Sequence, residues 1–232
     1  MKEFDYSLFD KENCWYKDVC NKSMCGEKDF CMRHYKIAYL VHGATLEGKQ
    51  QYTISLTPDK CDIEAFKHLR DIKNNIESFV QDGKNLLIYS KNTGNGKTQW
   101  SKKLLLSWFN SIWNKTDLAC RGIFISMPKF IAAMKENISK PNDYYIYVNE
   151  NIVNADLVIF DEINYKEWSL YEQDYMLSII NQRIEIGKSN IYTTNYDLPT
   201  IEERLGTRLS SRIIGCSDLV EFKGSDRRGI DI

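Results

Sequence analysis

The chain has 232 residues, 43% of them hydrophobic, and a formal net charge of −1. That apolar content builds one main domain with a small appendage, and the near-neutral balance excludes a globally basic nucleic-acid binder while allowing a local basic channel. No apolar run reaches the ~18–20 residues of a membrane span, and Met1-Lys2-Glu3-Phe4-Asp5 has no apolar signal region, so a cytoplasmic chain with no membrane partner is expected.

Cysteines come first along the chain. Cys14, Cys20, Cys25 and Cys31 precede His34 with the spacing C-x5-C-x4-C-x5-C-x2-H. In a reducing compartment clustered thiols point to metal rather than disulfides, and four thiolates, or three with His34, complete a tetrahedral Zn²⁺ site. The spacing is looser than C-x2-C knuckles, so small buried thiols are the competing reading. Zinc would supply much of the folding free energy of so short a segment. Cys61, Cys120 and Cys216 are scattered and read as packing residues.

Met32 to Val41 predicts a helix, and His42-Gly43 through Gln51 a linker. Tyr52 to Leu56 reads as a short extended segment. Asp62 is the expected N-cap of a helix whose apolar stripe is Ile63, Phe66, Leu69, Ile72, Ile76 and Phe79.

The run Leu86-Leu87-Ile88-Tyr89 predicts a buried strand that empties into Ser90-Lys91-Asn92-Thr93-Gly94-Asn95-Gly96-Lys97-Thr98. This is the layout of a phosphate-binding loop. Its glycines let backbone N–H groups approach phosphates, its lysine reaches the β/γ oxygens, and its threonine hydroxyl serves Mg²⁺. Lys91 stands where the full pattern has glycine, so it is expected to hold a conformation that glycine takes more easily. The following helix shows a broad apolar face in Trp100, Leu104, Leu105, Trp108, Ile112 and Trp113.

Gly122 to Ser126 is the next predicted strand. Lys129, Lys135 and Lys140 follow, among Tyr144, Tyr145 and Tyr147. They suit phosphate pairing and base stacking, or equally a solvated helix face over core tyrosines. Asp156-Leu157-Val158-Ile159-Phe160-Asp161-Glu162 is a second apolar run, ending in two acids. The first acid suits Mg²⁺ and the second an attacking water; solvated acids at a strand end are the plainer alternative. Order and distance after the phosphate loop favour a nucleotide-hydrolysing site. A strand from Ser189 ends in Thr193-Thr194-Asn195, Arg208 and Arg212 share one helix face, and Leu219 to Phe222 is the last predicted strand. Strands alternating with helices imply parallel pairing in a three-layer α/β domain.

These motifs together resemble AAA+ ATPases of the DnaC/DnaI type, the bacterial and phage replicative-helicase loaders, and the match runs along essentially the whole chain. The resemblance implies a small zinc-binding, helicase-contacting domain and linker over 1–50. It implies an AAA+ domain over 51–232 with a parallel sheet and no separate lid. It implies that Asn92, Thr93, Gly94, Asn95, Gly96, Lys97, Thr98 and Gln99 hold ATP, that Thr98 and Asp161 hold Mg²⁺, and that Glu162 and Asn195 serve the water. Arg212 matches the arginine finger, and Arg228, in Gly224-Ser225-Asp226-Arg227-Arg228, the second sensor. The implied partners are a hexameric replicative helicase of DnaB/DnaC type, single-stranded DNA, and further copies in a ring or spiral. An IstB-type transposition helper ATPase, or a nucleotide-binding adaptor with little turnover, is the alternative.

Overall fold

The computed structural model describes residues 31–46, 56–117 and 119–226. The readings on Cys14, Cys20, Cys25, the 47–55 segment and Arg228 lie outside the described residues.

Five parallel strands form one sheet in the order β2-β3-β4-β1-β5: β1 Asn85–Tyr89, β2 Gly122–Ser126, β3 Leu157–Asp161, β4 Ser189–Thr194 and β5 Ser217–Glu221. Side chains of successive strand residues face opposite sides of the sheet. Leu86 and Ile88 therefore join one core, with Ile159, Ile191 and Val220, while Leu87 joins the other, with Val158, Phe160 and Tyr192. A sheet apolar on both faces needs helices on both, which explains the near-continuous hydrophobic runs. The first face is covered by α1 (Met32–Gly43), α2 (Ile63–Asn74), α3 (Ile76–Gln81) and α4 (Lys97–Ile112). The second is covered by α5 (Met127–Ser139), α6 (Asp143–Asn151), α7 (Leu170–Glu185), α8 (Leu198–Leu205) and α9 (Thr207–Gly215). Trp100, Leu104, Leu105 and Trp108 are all buried, as the period of α4 predicts, each contributing about 2 kcal/mol of apolar burial.

Several expectations change. The helix predicted from Met32 runs on to Gly43, so His42 and Gly43 are helical rather than linker. Its C-terminal end is stitched to β2 and α6: Phe124 donates its backbone N–H to the Ala44 carbonyl (2.8 Å), and Tyr147 donates its hydroxyl to the Gly43 carbonyl (2.7 Å). The single helix expected from Ile63 to Phe79 is two helices, broken at Asn75, whose side chain bonds back to the Asp71 carbonyl at 3.0 Å. Asn favours such local bonds, and the break keeps Ile76 and Phe79 in the core while leaving Ile63 exposed. Asp62 is not a side-chain cap. A short 3-10 turn, Lys60–Asp62, precedes α2, and its cap is Asp59.

Two buried polar side chains brace the second layer. Arg183 is fully buried and donates to Asn190 Oδ1 and to the carbonyls of Ile152, Val153, Ala155 and Ser189, tying the entry of β3 to the start of β4. Burial lowers its pKa to about 10, so it stays charged at neutral pH. Ser169 and Glu172 form a reciprocal capping box at the start of α7. Burial opposes ionisation of Glu172, but bonds from Lys166, the Ser169 N–H and Lys135 outweigh it and hold the carboxyl at about 2.

Candidate functional site

Because all five strands are parallel, the turns after β1, β3, β4 and β5 gather at one edge of the sheet, where open α/β sheets bind ligands. β4 lies between β1 and β3, so its polar tip stands between the glycine-containing loop and the Asp-Glu pair.

The loop is organised by Ser90, whose hydroxyl oxygen accepts from the Asn92 backbone N–H (3.0 Å) and from Asn95 Nδ2 (2.7 Å). Gly94 and Gly96 take left-handed φ values of 67° and 100°, which only glycine enters cheaply. Lys91 does not. The expectation that it holds a glycine-like conformation is corrected, because the two downstream glycines carry the turn. Lys91 instead extends to Asp197, 2.8 Å away, which caps α8 through the Thr200 N–H. That bond, helped by Thr200, holds the Asp197 carboxyl at about 2.

Lys97 opens α4 and is 5% exposed. Its ammonium donates to the Asn92 carbonyl (2.7 Å) and to Asn95 Oδ1 (3.0 Å), both oxygens of the loop. Thr98 Oγ1 donates to Asp161 Oδ1 at 2.9 Å, and Thr193 Oγ1 donates to the same oxygen at 2.7 Å. Burial raises the Asp161 pKa against both hydroxyl bonds and the pull of Lys102 and Lys97. A carboxylate so placed gains from a bound cation.

Glu162 has φ 57°, one of two non-glycine residues in the left-handed region among those described. Such a conformation costs about 1–3 kcal/mol and persists where neighbours impose it. Here Thr193 imposes it, accepting the Glu162 N–H on its hydroxyl (3.0 Å) and the Ile163 N–H on its carbonyl (3.0 Å). The turn sets Glu162 on the wall of a cavity of about 290 Å³, shared with Asn195 and the loop from Thr93 to Gln99. Lys97, Thr98, Glu162 and Asn195 thus meet in one cavity, with Asp161 bonded at its floor.

Other predicted residues stand apart. Arg208 and Arg212 are exposed on α9, outside the cavity of their own chain. Cys31 and His34 sit at the start of α1, and the described residues contain no group of three or more possible metal ligands. Lys129 lies over the Tyr144 ring at 4.2 Å, Lys135 pairs with Glu172, and Tyr147 is engaged by α1, so it is a packing residue. Among the described residues no helix is long and apolar enough to cross a membrane. Sequence reasoning missed Thr193, whose only signal was a hydroxyl at the tip of a strand beside the acids.

The donor set fits a nucleoside triphosphate with Mg²⁺. Glycine-shaped backbone N–H groups, one buried ammonium and the start of α4 suit phosphates, and a hydroxyl beside a carboxylate suits a hard cation. No protein-family model matches the chain, and no curated protein matches it by sequence. Solved structures do match. The DnaC helicase loader superposes with a TM-score of 0.58 at 22% identity, covering 72% of this chain and 93% of that one. DnaI superposes with 0.56 at 16% identity, covering 76% and 88%. The replication initiator DnaA bound to AMPPCP and single-stranded DNA superposes with 0.59 at 19% identity, covering 78% and 52%. The fold defined by this sheet order and these neighbours is that of an AAA+ P-loop domain.

Proposed function

We propose that this chain is an ATP-dependent loader that places a hexameric replicative helicase on single-stranded DNA during replication initiation, in the bacterial cytoplasm. The observation that carries the ATPase part is the 2.9 Å bond from Thr98 to Asp161 beneath the cavity that Lys97, Glu162 and Asn195 share. The likeness to DnaC and DnaI supports the loader part, and the DnaA complex supports contact with single-stranded DNA.

Bound Mg·ATP supplies the anhydride that is cleaved. Lys97 and the N–H groups around Gly94 and Gly96 hold its phosphate oxygens, with Asn92, Thr93, Asn95 and Gln99 shaping the loop. Thr98 and Asp161 hold the cation; the Thr98 proton is already engaged by Asp161, which leaves the hydroxyl lone pairs for the metal. Glu162 takes a proton from the attacking water and Asn195 orients that water. Arg212, exposed on α9, serves the site of a neighbouring copy in a ring or spiral, and Arg228 serves its own. Residues 1–50 bind Zn²⁺ through Cys14, Cys20, Cys25 and Cys31, or with His34 in place of one thiolate, and grip the helicase. Residues 51–232 form the motor, with α1 of the preceding segment packed into its core.

The test is a pull-down with a replicative helicase, using the full chain and one lacking residues 1–30. That deletion spares α1, whose Ile37, Leu40 and Val41 are core residues. The full chain is expected to carry one zinc and retain helicase; the shortened chain should lose both yet keep nucleotide binding. Retention of transposase in place of helicase would favour the helper ATPase reading, and equal helicase capture by both chains would remove the N-terminal grip.

A further inference from the structure

The segment leaving β5 crosses the glycine-containing loop as a strap, and one carboxylate from far upstream holds it there. Asp62 is 2% exposed. Its Oδ1 accepts the Lys223 N–H at 2.7 Å and its Oδ2 accepts the Gly224 N–H at 3.1 Å. The carbonyls of the same two residues point the other way, into the loop. Asn92 Nδ2 donates to the Lys223 carbonyl (3.1 Å) and the Gly224 carbonyl (3.0 Å), and Asn95 Nδ2 reaches the latter at 3.5 Å. Further along, Thr93 Oγ1 donates to Asp226 Oδ2 at 3.2 Å, and a Cβ on Gly94 would lie 1.7 Å from Asp226 Oδ1. The fit is as close on the Asp62 side, where a Cβ on Gly224 would lie 2.5 Å from Oδ2. Every polar group of the Lys223–Gly224 peptide region is thus committed, upstream to Asp62 or downstream to the loop.

The consequence for Lys97 is direct. Lys97 donates to the Asn92 carbonyl and to Asn95 Oδ1, and the side chains of those same two asparagines hang from the strap. We propose that Asp62 is a positioning residue of the nucleotide site, acting through the strap Phe222–Asp226 on Asn92 and Asn95. It touches no reacting group. It fixes the strap, the strap fixes the two asparagines, and they set the loop that receives the phosphates. A carboxylate is suited to this because two N–H donors converge on it, whereas an amide offers one acceptor and a clashing donor.

The proposal rests on the nucleotide reading, so its test has one arm that needs no nucleotide. Millisecond hydrogen exchange on the free protein compares wild type, Asp62→Ala, Asn92→Ala and the double variant. In Asp62→Ala, faster exchange is expected both over 222–226 and over 91–96, with β3 unchanged; faster exchange confined to 222–226 overturns the proposal. The second arm titrates a fluorescent ATP analogue with Mg²⁺. Asp62→Ala is expected to bind about tenfold more weakly, the size of a coupling through one hydrogen-bonded chain. The double variant should lose less than the product of the two single losses, since the Asn92 link is already cut and only the Asn95 and Thr93 contacts remain to carry the effect. Losses that multiply would mean that Asp62 acts on the fold at large and overturn the proposal. If Asp62→Ala does not fold, Gly224→Ala displaces the strap with Asp62 intact and is read the same way. Wild type that fails to bind the analogue defeats the nucleotide reading, while the exchange arm still decides the coupling.

Discussion

Lys97→Ala is expected to abolish Mg·ATP binding, whereas Glu162→Gln keeps the binding and loses turnover. The two residues share a cavity but have separate tasks. Lys97 is a buried cation that donates to two loop oxygens, so it is poised for phosphate and the alanine variant removes its charge from the loop. Glu162 lines the same cavity and is held by Thr193, and glutamine keeps both its length and that backbone turn. Only proton acceptance is lost, a loss on the order of 10²–10⁴-fold in turnover for a general base. Equilibrium binding and phosphate release, measured for both variants, check this. Wild-type hydrolysis by Glu162→Gln would displace Glu162 from the water.

The second large effect is expected at Arg212, which lies on the exposed side of α9, opposite buried Leu209 and Ile213. It does not line its own cavity, and the proposed finger role places it in a neighbour's. Arg212→Ala should bind ATP as wild type does and lose turnover by about 10³-fold, the order of other arginine fingers. Mixing it with Lys97→Ala decides where it acts. In the mixture one copy brings an intact loop and the other an intact arginine, so activity is expected to return in proportion to the mixed pairs. No recovery under conditions of co-assembly would put Arg212 in its own chain's chemistry.

What the sequence made legible were features whose signal is local. The runs before Lys91 and before Asp161 announce buried parallel strands by composition alone, and the Gly94-to-Thr98 spacing announces its loop. Pairing order supplied the rest, since β4 between β1 and β3 is what brings Asn195 to the cavity. The illegible parts act across long separations or against a local preference. Asp62 looks like a helix cap until Lys223 and Gly224 arrive from 161 and 162 residues away. Arg183, near the end of α7, has the sequence context of a solvated charge, yet is fully buried among four carbonyls. Glu162 in a left-handed turn runs against intrinsic preference and is legible only from Thr193 across the sheet. Lys91 misled because a motif position was read as a conformational demand, when Gly94 and Gly96 meet that demand alone.

The central claim is that this domain uses ATP to place a helicase on DNA. It is tested most directly with a closed single-stranded DNA circle, a hexameric replicative helicase and this chain, scoring helicase retained on the circle after a high-salt wash. A closed circle offers no end to thread, so retention requires the helicase ring to be opened. The account predicts retention with the full chain and Mg·ATP, and little with Lys97→Ala or without the chain. Equal retention with wild type and Lys97→Ala, or none with either, would contradict it.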